Sequence, residues 1–509
     1  MPSPTRWPTV AWPDVLGREG RRPNVLFVTL DQFRADAISC AGHPLVRTPC
    51  LDELAAEGTR FARHYAQAAP CAPGRAALYT GTYQMTNRVV ANGTPLDARF
   101  DNVALAARRA GYTPLLFGYT DTGVDPRTVT DPHDPRLSAW EGVLPGFDEG
   151  LHLDGAHAAW LAELARLGYD VGTADEMLET EDRRPAENSV TTFLTEVFLD
   201  RFSTGALASD GQPWFAHLSF LRPHPPYVAA GEFASLYDPA DCPPALPIPD
   251  RPHRLHMQLL ESPLVAATGD ADLVARLRAQ YYGNVSHVDA QLGRVFDVLR
   301  AAGEWDDTVV VITADHGEQL GDQGLVEKCG FYESSYQVIG MVRWPGAPGG
   351  IVVDEFTENV DVFPTLCDAM GIAVPAQCDG LPLTPFVFGE RPPHWRTAAH
   401  YQWDWRYVFI GRDEPAWPWD RRLDDKQLTV RRSREYAYLH VGDGSWRCFD
   451  LAADPTWQTE VTDPAVVLAE AQAMLDWRSR HADRTLTGML LVDGGIGRRP
   501  PGSPRSPDR

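Results

Sequence analysis

Four short apolar runs, each closed by a polar cluster, constrain this chain more than any other feature. They are "NVLFVTL" before Asp31-Gln32, "TPLLFG" before Tyr119-Thr120-Asp121, "WFAHLSF" before "LRPHPP", and "TVVVIT" before Ala314-Asp315-His316. Apolar runs without polar alternation make strands buried on both faces, and such strands need helices on both sides of the sheet. Helical patterns lie between the runs. "CLDELAAEGTRFARHY" reads as a helix with a glycine near its end, and "DADLVARLRAQYYGNVSHVDAQLGRVFDVLRAAG" carries apolar residues at helical spacing throughout. Strands alternating with helices specify an α/β fold with a mostly parallel, doubly wound sheet flanked by helices. Residues 134–190 hold few strand signals and read as an insertion or loop-rich lid. Past residue 385, "EYAYLHVGDGSWRCFDL" predicts a hairpin around Gly442-Asp443-Gly444, and "PAVVLAEAQAMLDWRSRH" an amphipathic helix. The organisation expected is an extension over 1–22, the α/β domain over 23–385, a smaller α+β unit over 386–496 and a disordered tail over 497–509.

The charge balance narrows the partners. With 69 acidic and 46 basic residues in 509, the net charge is −23, which argues against nucleic acid because phosphate binding needs a broad basic footprint. A small anionic substrate stays open if the positive field is local. The N-terminus lacks the apolar core of a secretory signal, and no run is long enough to span a bilayer. The eight cysteines are scattered, with no C-x-x-C pair, so reduced thiols and a cytoplasmic location are expected.

In open α/β sheets ligands bind at the carboxyl ends of the strands. Four such ends here offer Asp31 and Gln32; Tyr119, Thr120 and Asp121; His224; and Asp315 with His316. If these ends share one edge, Asp31, Asp315 and His316 supply oxygen and nitrogen ligands for a divalent cation. "AAPCAPGRAALYTG" adds a cysteine at a helix start: Pro73 suits a first turn, and "AALYTG" continues the helix, placing Cys71 at the positive end of its dipole.

"CAPGRAALYTG" resembles the sulfatase branch of the alkaline phosphatase superfamily, whose C-x-P-x-R cysteine is converted to Cα-formylglycine. "DQFRAD", "NGTPLD", "GYTDTGVDPRT", "RPHPPY", "DHGEQLGDQGLVEK" and "DWRSRHADRTLT" are similar, more narrowly, to the phosphonate monoester hydrolase group. The resemblance implies an alkaline phosphatase-like fold and Cys71 as the formylglycine nucleophile. It implies one divalent metal, Mn2+ or Ca2+ ahead of Fe2+ or Zn2+, held by Asp31, Asp315, His316 and the modified Cys71, with Gln32 as a further candidate ligand. It places Arg75 on the formylglycine hydrate, and Asn92, Tyr119, His224 and Lys328 around the transferred group. Asp121 stands where that group has threonine, and a carboxylate there repels an anionic substrate unless it is protonated, turned away or bound to metal. A hydrated aldehyde attacks through one hydroxyl and then expels the transferred group when its second hydroxyl is deprotonated, which a serine cannot do. Lys328 and His224 would neutralise the departing oxygen or protonate it.

The function so implied is a metal-assisted, formylglycine-dependent hydrolase of phosphonate monoesters and phosphodiesters, promiscuous toward sulfate esters. The alternatives are an aryl- or alkylsulfatase with the same machinery, and an inactive relative that only binds anions. The partners implied are a small anionic ester, a formylglycine-generating enzyme during maturation, and further copies of the chain in a dimer or tetramer, with no nucleic acid and no membrane.

Overall fold

The computed structural model describes residues 22–139, 141–207, 212–404 and 425–482, together with the backbone of 489–492 and 495–498. The expected N-terminal extension and C-terminal tail lie outside these residues, apart from Arg22, Gly497 and Arg498. The strands of the two main sheets, in chain order, are β1 (Asn24–Leu30), β2 (Thr59–Tyr65), β3 (Ala68–Ala69), β4 (Pro114–Gly118), β5 (Asp148–His152), β6 (Phe215–Phe220), β7 (Thr308–Thr313), β8 (Gly340–Arg343), β9 (Ile351–Glu358), β10 (Ala398–Asp404), β11 (Gln427–Ser433), β12 (Tyr436–Val441) and β13 (Trp446–Asp450). The larger sheet has eight strands in the order β5-β4-β6-β1-β7-β8-β2-β9. All its pairings are parallel except those of β8, which runs antiparallel to β7 and β2.

The strand pattern builds three layers. In β1, Leu26, Val28 and Leu30 pack on one face with Val285, Val288, Leu292 and Val295 of the Ala271–Ala301 helix. Val25 and Phe27 pack on the other face with Ala72 and Ala76 of the Cys71–Thr80 helix and with Phe363 and Leu366. A strand with both faces covered is apolar at most positions, which is why this run shows no regular alternation.

The structure corrects two expectations. The stretch read as one helix through "CLDELAAEGTRFARHY" stops at Glu57; Gly58 ends it, and Thr59–Tyr65 become β2. Segment 134–190 is not merely a loop-rich lid, because Asp148–His152 add to the sheet edge as β5 and helices follow at Ala158–Arg166 and Ala174–Leu178. The smaller sheet, β13-β12-β11-β10-β3, contains the expected β12–β13 hairpin. It also takes β3 from the N-terminal part of the chain, pairing Ala68 with Gln402 and Ala69 with Trp403. The helix expected after the hairpin spans Pro464–His481. Among the described residues no helix is long and apolar enough to cross a membrane.

Candidate active site

Asp31 and Gln32 follow β1, Asp315 and His316 follow β7, and Tyr119 to Asp121 follow β4, so parallel neighbours deliver these side chains to one edge of the sheet. Cys71 is the first residue of the Cys71–Thr80 helix, entered directly from β3 through Pro70. One ligating atom from each of Asp31, Cys71, Asp315 and His316 lies within 4.8 Å of the others, and all four residues are buried.

The donor set fits a divalent cation. Asp31 Oδ1 is buried and accepts no hydrogen bond. His316 donates from Nδ1 to the Gly317 carbonyl at 3.1 Å, which leaves the Nε2 lone pair facing Cys71 Sγ at 3.3 Å and the carboxylates of Asp315 and Asp31 at 3.7 and 3.9 Å. Burial and the nearby Lys328 charge push His316 down to about 4, keeping it neutral, the state a metal ligand needs. Burial and the charge of Asp31 push Asp315 up to about 7. Burial opposes ionisation of Asp31 as well, but its positively charged neighbours, Arg75 and Lys328 among them, outweigh it and hold this carboxyl well below the usual range. Two buried carboxylates sharing a site resist ionising together, and a cation between them removes the conflict. Burial and Asp31 raise the Cys71 thiol well above its usual range, so these surroundings do not generate a free thiolate nucleophile.

Arg75 binds the carboxylates of both Asp31 and Asp315. Nε donates to Asp315 at 2.9 Å and Nη2 to Asp31 at 3.0 Å, while Nη1 donates to Ser219 Oγ at 2.8 Å and the Tyr119 carbonyl at 3.0 Å. The role expected for Arg75 is a hold on the formylglycine hydrate; beside the unmodified Cys71, four of its five N–H groups go to the frame around that residue. Behind Arg75 runs a buried chain: Tyr79 and His217 are hydrogen-bonded at 3.0 Å, and His217 Nδ1 donates to the Phe27 carbonyl at 3.1 Å. Burial pushes His217 down to about 3, so it is neutral, with Nε2 accepting from the Tyr79 hydroxyl.

Tyr119 donates its hydroxyl to Asp31 and lays its ring under the Arg75 guanidinium at 4.2 Å. Asn92 accepts from the Ala72 amide at 2.9 Å, capping the Cys71–Thr80 helix, whose own N-cap, Pro70, has no side-chain bond. Lys328 Nζ donates to His224 Nε2 at 2.9 Å and to Gln32 Oε1 at 3.0 Å. Burial and the Lys328 charge push His224 down to about 4. The Gln32 carbonyl is therefore turned to Lys328, and its amide nitrogen donates to Glu318 and Glu327. Asp121 lies on the Arg75 side of the site, its carboxylate 3.8 Å from Nε.

Sequence reasoning missed the residues that hold these groups. Arg222 is fully buried, pairs with Glu181 and donates to the carbonyls of His224 and Pro226, pinning the His224 loop. Tyr227 donates to Glu318, which accepts from Gln32 in turn. Asp322, without an expected role, accepts from Arg34 and Arg278 and ties the loop after β7 to the Ala271–Ala301 helix. Arg222 and Tyr227 flank His224 in "RPHPPY", and Glu318 and Asp322 lie within "DHGEQLGDQGLVEK", but their spacing assigned them no role; Glu181 lies outside every motif, and proximity in the fold is its only signal.

Comparison with known proteins agrees with this geometry. The sulfatase family model matches residues 23–372, and the N-sulphoglucosamine sulphohydrolase C-terminal model matches residues 321–476. The multifunctional alkaline phosphatase superfamily protein PehA of Trinickia caryophylli is 35% identical over 92% of this chain and 97% of its own length. The choline-sulfatase of Rhizobium meliloti is 27% identical over 91% of this chain and 87% of its own. Among solved structures, the phosphonate monoester hydrolase of Agrobacterium radiobacter superposes with a TM-score of 0.85 at 38% identity, covering 94% of this chain and 100% of that one. The phosphonate monoester hydrolase of Silicibacter pomeroyi superposes with a TM-score of 0.82 at 32% identity, covering 94% and 99%. The strand-end carboxylates, the helix-start cysteine and these likenesses over nearly the whole chain lead to one conclusion: the protein belongs to the sulfatase family of the alkaline phosphatase superfamily and is an ester-bond hydrolase.

Proposed function

We propose that the chain hydrolyses phosphonate monoesters and phosphodiesters with a formylglycine made from Cys71 and one divalent cation, and accepts sulfate esters less efficiently. The observation that carries this reading is the buried cluster of Asp31, Cys71, Asp315 and His316, with the cysteine opening a helix. Similarity to two phosphonate monoester hydrolases over 94% of the chain supports the choice of substrate. When bound, the cation polarises an ester oxygen and eases deprotonation of the attacking hydroxyl.

The chain's own groups do the rest. Arg75 fixes the spacing of Asp31 and Asp315, and Tyr119 fixes the rotamer of Asp31. Asn92 holds the start of the nucleophile helix. His224 is neutral and accepts from Lys328, so the mobile proton resides on Lys328, which is the donor to the leaving oxygen. Gln32, neutral beside the carboxylates, orients Lys328 without adding charge. Mn2+ or Ca2+ suits the oxygen-rich set first, then Fe2+ or Zn2+. Maturation by a formylglycine-generating enzyme, a cytoplasmic location and assembly as a dimer or tetramer belong to the same proposal.

A sulfate-first reading is favoured by the family model and by the choline-sulfatase likeness. Kinetics of protein made alongside a formylglycine-generating enzyme separate the two. Aryl phosphonate and phosphodiester substrates should exceed the aryl sulfate in kcat/KM, with loss of turnover on chelation; a sulfate preference of several orders overturns the ranking.

A further inference from the structure

Asp121 differs from every other acid around the nucleophile. Asp31 and Asp315 are bound by Arg75, and Glu318 accepts from Tyr227, from Gln32 and from the Leu320 amide. Among the described residues no hydrogen bond reaches the Asp121 carboxylate. Its one ion-pair contact, Arg75 Nε, stands 3.8 Å away, beyond hydrogen-bond reach, and that N–H already donates to Asp315 at 2.9 Å. The side chain is nevertheless 93% buried, being only 7% exposed. Nor does Asp121 do what turn aspartates do elsewhere in this chain: Asp125, four residues on, accepts from the Ala98 and Arg127 amides. Asp121 takes a left-handed backbone, φ +48°, with no capping bond in return.

Buried carboxylates are stable when donors surround them, and one without donors is a group awaiting a partner. Burial accordingly pushes Asp121 up to about 7. Its position says where the partner comes from. Asp121 follows the same strand end as Tyr119, shares Arg75 with the two ligand carboxylates, and is among the charges that act on the Cys71 thiol. A group bound at Cys71 therefore lies within its field. A bare anion there meets repulsion, whereas an N–H cation donates a charge-assisted hydrogen bond to an acceptor that has none.

We infer that Asp121 is the specificity-determining residue of this site and selects zwitterionic esters, those bearing an ammonium group a few bonds from the transferred phosphoryl, phosphonyl or sulfuryl centre. The inference rests on the ester-hydrolase reading above and deepens it to a substrate class: aminoalkyl phosphodiesters and aminoalkylphosphonate esters ahead of their purely anionic counterparts.

Two substrates that differ only by an ammonium group in place of a hydrogen, 2-aminoethyl 4-nitrophenyl phosphate and ethyl 4-nitrophenyl phosphate, test it. The metal-loaded, aldehyde-bearing enzyme should prefer the aminoethyl ester by about tenfold or more in kcat/KM, the scale of one hydrogen bond to a charged group. Asp121→Asn keeps the shape and tolerates the left-handed backbone, and should bring the ratio close to unity. A native ratio near unity, or a ratio unchanged in Asp121→Asn, overturns the proposal. Calorimetric binding of 2-aminoethylphosphonate and ethylphosphonate to the native protein gives the same comparison without turnover or a variant, and equal affinities overturn the inference. Failure of phosphodiester turnover with the binding difference intact removes the proposed reaction and leaves the role of Asp121 standing.

Discussion

Gly74 shows how little slack the Cys71–Thr80 helix has. A Cβ there would lie 2.5 Å from the Asp315 carbonyl oxygen and 3.0 Å from that of Ala68, both backbone atoms that cannot rotate aside. The helix carrying Cys71 thus rests directly on the strand end carrying two metal-ligand candidates. Gly74→Ala should move one against the other and lower kcat/KM by about a hundredfold, the scale of a small misplacement, with the far-UV dichroism retained. Unchanged kinetics would mean that the contact does not set the geometry. At this scale the sequence disclosed the groups that end strands or open helices, such as Asp31, Asp315 and Cys71, because a polar residue closing an apolar run is visible in one dimension. Tyr79, His217 and Ser219 lie inside otherwise apolar stretches and read as core; they become a brace for Arg75 only when β6 is laid beside β1.

Elements were legible in proportion to their burial. β1, β6 and β7 are covered on both faces and stand out as continuous apolar runs. β2, with partly exposed Arg60, Ala62 and Arg63, reads like the tail of the preceding helix, and β5, exposed at the sheet edge, reads as loop. β2 pairs with β9 through a parallel backbone ladder, and His64 adds a side-chain link, its ring nitrogens bonding to Thr357 Oγ1 at 3.0 Å and Asn359 Oδ1 at 2.9 Å. Burial pushes His64 from 6.5 down to about 4, so the fold keeps it neutral where the unfolded chain would protonate it. Below pH 6.5 the unfolded state binds the extra proton, so stability should fall as pH drops from 6.5 to 4, by about 3 kcal/mol for this group. Urea unfolding should show that slope reduced in His64→Gln; equal slopes would contradict the assignment. The segment holding β5 also supplies Glu181, whose side chain is 1% exposed against a fully buried Arg222. Glu181→Ala leaves that arginine unpaired, and a loss of about 3–5 kcal/mol is expected in the same measurement. A loss below about 1 kcal/mol would show that the pair does not anchor the His224 loop.

At the scale of the whole molecule, the smaller sheet is not an appendage, because its edge strand β3 leads through Pro70 straight into Cys71. That join was invisible in the sequence: two alanines carry no strand signal, and their partners lie more than 300 residues away in the chain. Trp403, 1% exposed and opposite Ala69, packs in a shared cluster with Tyr65, Tyr336 and Tyr401. Trp403→Ala should cost about 3–5 kcal/mol and lower kcat as well, since the cavity opens next to the strand that positions the nucleophile. A stability loss with untouched kcat would separate the sheet from catalysis. The claim on which the rest depends is that position 71, carried as an aldehyde hydrate beside a cation, strikes the phosphorus or sulfur centre. The direct measurement is kcat/KM on an aryl phosphonate monoester for native protein and Cys71→Ala, both made alongside a formylglycine-generating enzyme and loaded with the same metal. The expected result is a loss of at least about a thousandfold in the variant; an alanine variant that turns over at the native rate would contradict it.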